Sequence, residues 1–115
     1  MHELPVTQSL LEIALRHAAT QNAKRITDLH LVIGDLSSFV DESVQFYWDI
    51  ICESTIAVGA TLHFQRIKAE MACQACQQHY PLKEDQFICP TCGSADVQVV
   101  AGKEFFLDSI DIETD

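Results

Sequence analysis

Positive charge is what this sequence has least of. Seven Lys and Arg stand against seventeen Asp and Glu, a formal net charge of −10. Nucleic-acid binding depends on neutralising phosphates with basic side chains, so a chain of this sign is repelled by such a partner. Long apolar runs are also missing: none approaches the ~20 residues that span a bilayer. The N-terminus lacks the basic-then-apolar order of a signal peptide. The four glycines form no phosphate-cradling loop, and no Ser/His/Asp arrangement or suitably spaced carboxylate pair marks a catalytic centre. No repeat or low-complexity stretch interrupts the chain. These absences predict a cytoplasmic protein that is not an enzyme and engages neither nucleic acid nor membrane. Its natural complement is a cation or a basic patch on a protein partner.

What is present is a modest apolar core and five cysteines. At 115 residues and 48% apolar content, the chain suits one compact unit with a small satellite. A satellite of that size usually needs a metal or another staple. Four of the cysteines fall into two CxxC pairs, which favours metal ligation in a reducing compartment over a disulfide framework.

Hydrophobic periodicity predicts a helix from about Pro5 to Gln21, with Leu10, Leu11, Ala14, Leu15 and Ala18 on one face. Met1, His2 and Glu3 then sit beside its positive end. Ile26 to Ile33 reads as a strand ended by Gly34. Asp41 is a candidate N-cap for a second helix reaching about Glu53. That helix would bury Val44, Tyr47, Trp48 and Ile51, with Phe46 and Ile50 read as further core and Cys52 as a small buried side chain. A strand from Thr61 to about Met71 changes phase as a bulge would make it do. After Gly102 a last strand slips phase between Phe105/Leu107 and Ile110/Ile112. The expected fold is α+β: two helices on a small three-stranded sheet, formed by residues 1–70 and 103–115, with a four-cysteine zinc-ribbon subdomain inserted at 71–102.

The ribbon is the strongest signal. Cys73 and Cys76 are separated by twelve residues from Cys89 and Cys92. Each CxxC makes a tight turn whose sulfurs converge, and two such knuckles complete a closed tetrahedron suited to zinc. Pro90 and Gly93 supply backbone geometry for the second turn. Iron in a rubredoxin-like site and a thiol–disulfide role are the competing readings. Four protein ligands leave no position open for substrate, so zinc here, one per chain, is structural. His79 reads as a surface histidine.

The N-terminus offers different chemistry. The α-amino group titrates near neutrality, and with the following backbone amides and the His2 imidazole it provides nitrogen donors in one plane. That arrangement suits Ni(II) or Cu(II). Glu3 would serve as an oxygen ligand or orient His2.

Taken together, Met1-His2-Glu3, the helix after it, Ile33-Gly34-Asp35-Leu36-Ser37, Val58-Gly59-Ala60-Thr61-Leu62, the CxxC…CPxCG ribbon and Ser109-Ile110-Asp111-Ile112-Glu113 resemble the HypA/HybF family over the whole chain. That resemblance implies a nickel metallochaperone for [NiFe]-hydrogenase maturation, which in some organisms also supports urease. It implies transient Ni(II) on His2, the Met1 amine, neighbouring backbone nitrogens and Glu3, and structural zinc on the four cysteines. It implies a HypB-type GTPase and the hydrogenase large-subunit precursor as partners. Some members place a further acid near the start of the second helix, where this chain has Val40 before Asp41 and Glu42. A monomer or a homodimer, domain-swapped through the strand beside the ribbon, would fit. The alternative is a zinc-ribbon interaction or transcription-associated adaptor without a nickel role, which explains only the ribbon.

Overall fold

The amphipathic repeat at the start of the chain folds as α1 (Glu3–Thr20), beginning before Pro5 rather than at it. The Thr7 hydroxyl donates to the Glu3 carbonyl at 2.6 Å, so Glu3 lies within the first turn instead of preceding it. In this computed structural model residues 3–83 and 87–115 are described. Thr7, Leu10, Ala14 and Ala18 form the buried stripe of α1. The helix stops in a Schellman arrangement: Ala23 N–H reaches the Ala18 carbonyl, Asn22 N–H reaches that of Ala19, and Asn22 takes φ of 53°.

After β1 (Arg25–Gly34), α2 runs over Asp41–Ile51. The expectation that Asp41 caps it is corrected. Val40 is the N-cap, extended and without a side-chain hydrogen bond, and Asp41 is the first helical residue. Asp41 and Glu42 therefore favour the helix through its dipole. Val44 and Trp48 are fully buried, and Cys52 is buried at the C-cap. Phe46 and Ile50, expected in the core, are exposed. They lie on the side of the helix away from Val44 and Trp48, where 3.6-residue periodicity puts positions 42, 46, 49 and 50 together.

Three strands form the first sheet, in the order β2-β1-β6, with β2 at Thr61–Ile67 and β6 at Phe105–Glu113. The central strand β1 buries Ile26, Leu29, Leu31, Val32 and Ile33. Exposure along β6 alternates, then repeats at Asp108 and Ser109 before alternating again, which is the expected phase slip. The stretch from Thr61 to Met71 is not one bulged strand. It divides into β2 and β3 (Glu70–Cys73), which belong to different sheets. A change of phase reads the same whether a strand bulges or changes partners, and only the pairing distinguishes the two.

The second sheet has the order β4-β3-β5, with β4 at His79–Pro81 and β5 at Val97–Ala101, both antiparallel to β3. It is inserted between β2 and β6, which flank β1 in the first sheet. Two compact units result. One takes the chain through Val32, Ser38–Gln65 and Phe106–Asp115; the other takes Ile33–Ser37 and Arg66–Phe105. α1 and α2 pack on each other in the first. The second has a small core of Met71, Cys73, Tyr80 and Cys89, with Leu82, Val97 and Val99 against it.

Within the second unit the chain segments meet at two glycines. A Cβ on Gly34 would overlap the Gly102 carbonyl, and Gly102, at φ +115°, lies against the Ala69 backbone. Leu36 N–H donates to that same Gly102 carbonyl at 2.8 Å. Gly34→Ala is therefore expected to destabilise by about 2–3 kcal/mol through overpacking, a fall of roughly 10 °C or more in thermal unfolding. Gly93→Ala, with open space around it but φ of +75°, should cost about 1–2 kcal/mol.

Candidate metal centre

The two CxxC segments fold alike. In the first, Gln77 N–H donates to the Cys73 carbonyl at 3.0 Å and Cys73 N–H to the Gln78 carbonyl at 2.9 Å. In the second, Gly93 N–H donates to the Cys89 carbonyl at 2.9 Å and Cys89 N–H to the Ser94 carbonyl at 2.9 Å. The residue after the second cysteine is left-handed in both: φ is 64° at Gln77 and 75° at Gly93. Glycine adopts that conformation freely, so Gln77 marks a strained copy of the turn that Gly93 makes without strain. Its side chain partly compensates by donating from Nε2 to the Gln74 carbonyl at 3.0 Å.

These turns bring four sulfurs together, all within 4.8 Å of one another. Cys73 Sγ lies 3.6 Å from Cys92 Sγ, and Cys76 Sγ lies 3.6 Å from Cys89 Sγ. A metal–sulfur bond of about 2.3 Å in a tetrahedron sets each edge near ~3.8 Å, so the donors fit a tetrahedral ion. None of the four is in a disulfide. Cys73 and Cys89 are buried in the unit's core, Cys76 is half-buried and Cys92 is exposed.

The turns also set the charge of the sulfurs. The Cys92 backbone N–H, and after it that of Thr91, point at Cys89 and bring its thiol down to about 6. The Gln78 N–H acts in the same direction on Cys76. Burial and the crowded sulfurs of Cys89, Cys92 and Cys73 outweigh it and push that thiol up to about 12. Cys92 is also raised: the Ser94 N–H favours its thiolate, but Cys73 beside it and burial prevail. Without a cation, one thiolate is held while its neighbours resist ionisation; a bound dication removes that conflict.

His79 lies on β4 with Nδ1 2.6 Å from a Glu70 carboxylate oxygen, on the exposed side and outside the sulfur cluster. Met1 and His2 lie outside the described residues. Glu3 is half-buried as the first residue of α1.

Periodicity did not reveal a histidine pair on the first sheet. His30 on β1 and His63 on β2 stack at 4.8 Å between ring centres, 12° from parallel. His30 Nε2 is 2.9 Å from Asp111 and His63 Nε2 is 2.8 Å from Asp28. The hydrogen bond from His63, with a second from Thr27, holds the Asp28 carboxyl below its ordinary value. The alternation along β1 places Asp28 and His30 on one face, but the cross-strand partners follow only from the register. Among the described residues, the cysteines alone bring three or more metal donors together.

An α+β domain of two helices and a three-stranded sheet, with a four-cysteine ribbon inserted before the last strand, defines a small metal-binding protein. Two solved structures share this fold: "Solution structure of the Ni metallochaperone HypA from Helicobacter pylori", at TM-score 0.69, 24% identity and full coverage of both chains, and "Solution structure of HypA protein", at TM-score 0.77, 24% identity and coverage of 97% and 96%. The family model for hydrogenase/urease nickel incorporation, metallochaperone HypA, matches residues 1–112. Hydrogenase maturation factor HypA of Caldanaerobacter subterraneus subsp. tengcongensis is 40% identical, covering 98% of this chain and 100% of the relative. HypA of Dehalococcoides mccartyi strain 195 is 38% identical over 98% and 95%, and HybF of Escherichia coli K12 is 34% identical over 98% and 100%. The chain belongs to the HypA family of nickel-incorporation metallochaperones, which are maturation factors and not enzymes. None of its described helices is long and apolar enough to cross a membrane.

Two outcomes follow from the sulfur geometry. Because Cys89 is already largely ionised at pH 7, titrating metal-free protein with Zn(II) should release fewer than four protons per ion by pH-stat, and more as the starting pH falls below about 6. Gln77→Gly should raise the thermal midpoint, by about 1 kcal/mol in stability, by removing the left-handed strain.

Proposed function

We propose that this chain binds Ni(II) at its N-terminus and helps insert it into the [NiFe]-hydrogenase large-subunit precursor during maturation. Its metal donors are taken to be the Met1 amine, the backbone nitrogens that follow, the His2 imidazole and, as an oxygen ligand or positioning group, Glu3. The observation that carries this reading is the family match, which begins at residue 1 and so includes Met-His-Glu. α1 starts at Glu3, next in sequence to His2, and its first turn carries the Glu3 carboxylate. Deprotonated amide and imidazole nitrogens in a plane suit Ni(II), whereas four thiolates suit zinc.

The four cysteines are assigned one structural zinc per chain. Support comes from the convergence of their sulfurs at tetrahedral separations. When bound, zinc neutralises crowded thiolates and ties β3 to the loop before β5; with all four positions filled by protein, it takes part in no exchange. In this reading residues 1–70 and 103–115 carry nickel, residues 71–102 carry zinc, and a HypB-type GTPase and the large-subunit precursor are the partners.

Metal analysis of untagged protein after nickel titration tests the proposal. One tightly held zinc and about one exchangeable nickel are expected. His2→Ala, or a peptide added ahead of Met1, should abolish nickel binding and leave zinc content and the far-UV spectrum intact. Full nickel affinity in the tagged protein would refute the N-terminal site. Affinity should fall as pH drops through the amine and imidazole range, roughly 8 to 6, because protons compete for those nitrogens. Cys73→Ser should lose zinc and lower the melting temperature, and an unchanged melting curve would overturn the structural role.

A further inference from the structure

The outer face of α2 has no role in either metal site. Its sequence puts Glu42, Phe46, Asp49 and Ile50 on one side of the helix, with exposed Glu53 just beyond the C-cap. The opposite side, through Val44 and Trp48, fills the core. Phe46 is 61% exposed and Ile50 54%, although each is of a type that folding normally buries. Phe46 is held in place by an edge contact with Tyr47, their ring centres 5.3 Å apart. A rigid aromatic beside a branched aliphatic residue is the composition of a binding anchor rather than of solvated surface.

The charges around these side chains narrow the occupant. No Lys or Arg lies between Asp41 and Glu53. The Arg and Lys side chains of the first unit pair elsewhere, Arg16 with Glu12, Lys24 with Asp115 and Arg25 with Glu113. The charged side chains that α2 itself places beside Phe46 and Ile50 are thus all acidic. A second copy would bring acids against acids from a chain of net charge −10, which opposes self-association through this face. An anionic surface is opposed for the same reason.

We propose that the outer face of α2 is a docking surface for a protein segment whose apolar side chains are flanked by Lys or Arg. Phe46 and Ile50 supply the contact, and Glu42, Asp49 and Glu53 select the charge of the partner and steer its approach. So small an apolar area makes a transient contact. The proposal goes beyond the nickel reading and is tested without nickel, so either can fail alone.

The test titrates isotope-labelled, zinc-loaded full chain with a designed helical peptide bearing a Leu face flanked by Lys. Saturable amide shifts confined to residues 40–53 are expected, with affinity falling as salt rises. Phe46→Ser with Ile50→Ser should weaken binding about tenfold or more. Both residues are exposed, so melting temperature and far-UV spectrum should hold and separate lost contact from lost fold. A peptide with the Leu face changed to Ser, or with Lys changed to Glu, should bind much more weakly. Equal binding of either control would overturn the proposal, the first by showing charge alone and the second by showing that charge plays no part. Shifts spread over the acidic surface outside α2 would also overturn it. So would self-association abolished by Phe46→Ser, because the occupant would then be a second copy.

Discussion

Four sulfurs held within 4.8 Å of one another are a demand for positive charge, and the ribbon unit is organised around that demand. Its apolar core is Met71 and Tyr80 with two of the cysteines themselves, too little to hold a fold of that size by burial alone. The backbone turns answer part of the demand by pointing N–H groups at the sulfurs, enough to bring Cys89 to about 6 but not enough for Cys76, which burial and its neighbouring sulfurs push up to about 12. A dication bound among the four sulfurs would supply the rest. The ribbon is therefore best understood as a fold whose last core component is ionic.

The same physics decides how legible the chain is. The cysteine spacing, the buried stripes of α1 and α2, the central strand β1 and the slip in β6 are all local patterns, and local patterns can be read in sequence. What escaped depends on partners distant in the chain. The stretch from Thr61 to Met71 changes sheets between Ile67 and Glu70, which no periodicity can distinguish from a bulge. Phe46 and Ile50 looked like core because apolar type predicts burial, yet burial requires something to pack against that side of the helix, and among the described residues nothing covers it. The stacked His30 and His63 pair comes from the register between two strands 33 positions apart. Gln77 was invisible for another reason: the first knuckle repeats the hydrogen bonds of the second, but with a residue that conceals the conformation Gly93 advertises.

Charge shows how the two units differ. In the first unit Arg16, Lys24 and Arg25 are tied into ion pairs, and the acids of α2 face outward. A surface of that kind draws in divalent cations and basic protein segments and turns away polyanions. With the proposed zinc bound, the ribbon would add further negative charge, since four thiolates exceed the charge of one dication. Acidity is thus a consequence of the architecture as well as of the composition.

The two sets of metal donors differ in how they depend on the fold. The sulfurs come from two turns twelve residues apart, brought together by β3 and the loop before β5. Releasing a metal from that cluster would mean reopening a loop and separating a core, so its loss would be coupled to unfolding of the unit. The proposed nickel donors come from three consecutive residues ahead of and within the first turn of α1. A chelate that local can form and dissociate without disturbing a buried side chain, and protons or a competing ligand suffice to release the ion. A protein that must keep one metal and surrender another needs both kinds of site. In the proposed reading the first spans a fold and the second uses three consecutive residues, so the first metal would be kept and the second would exchange.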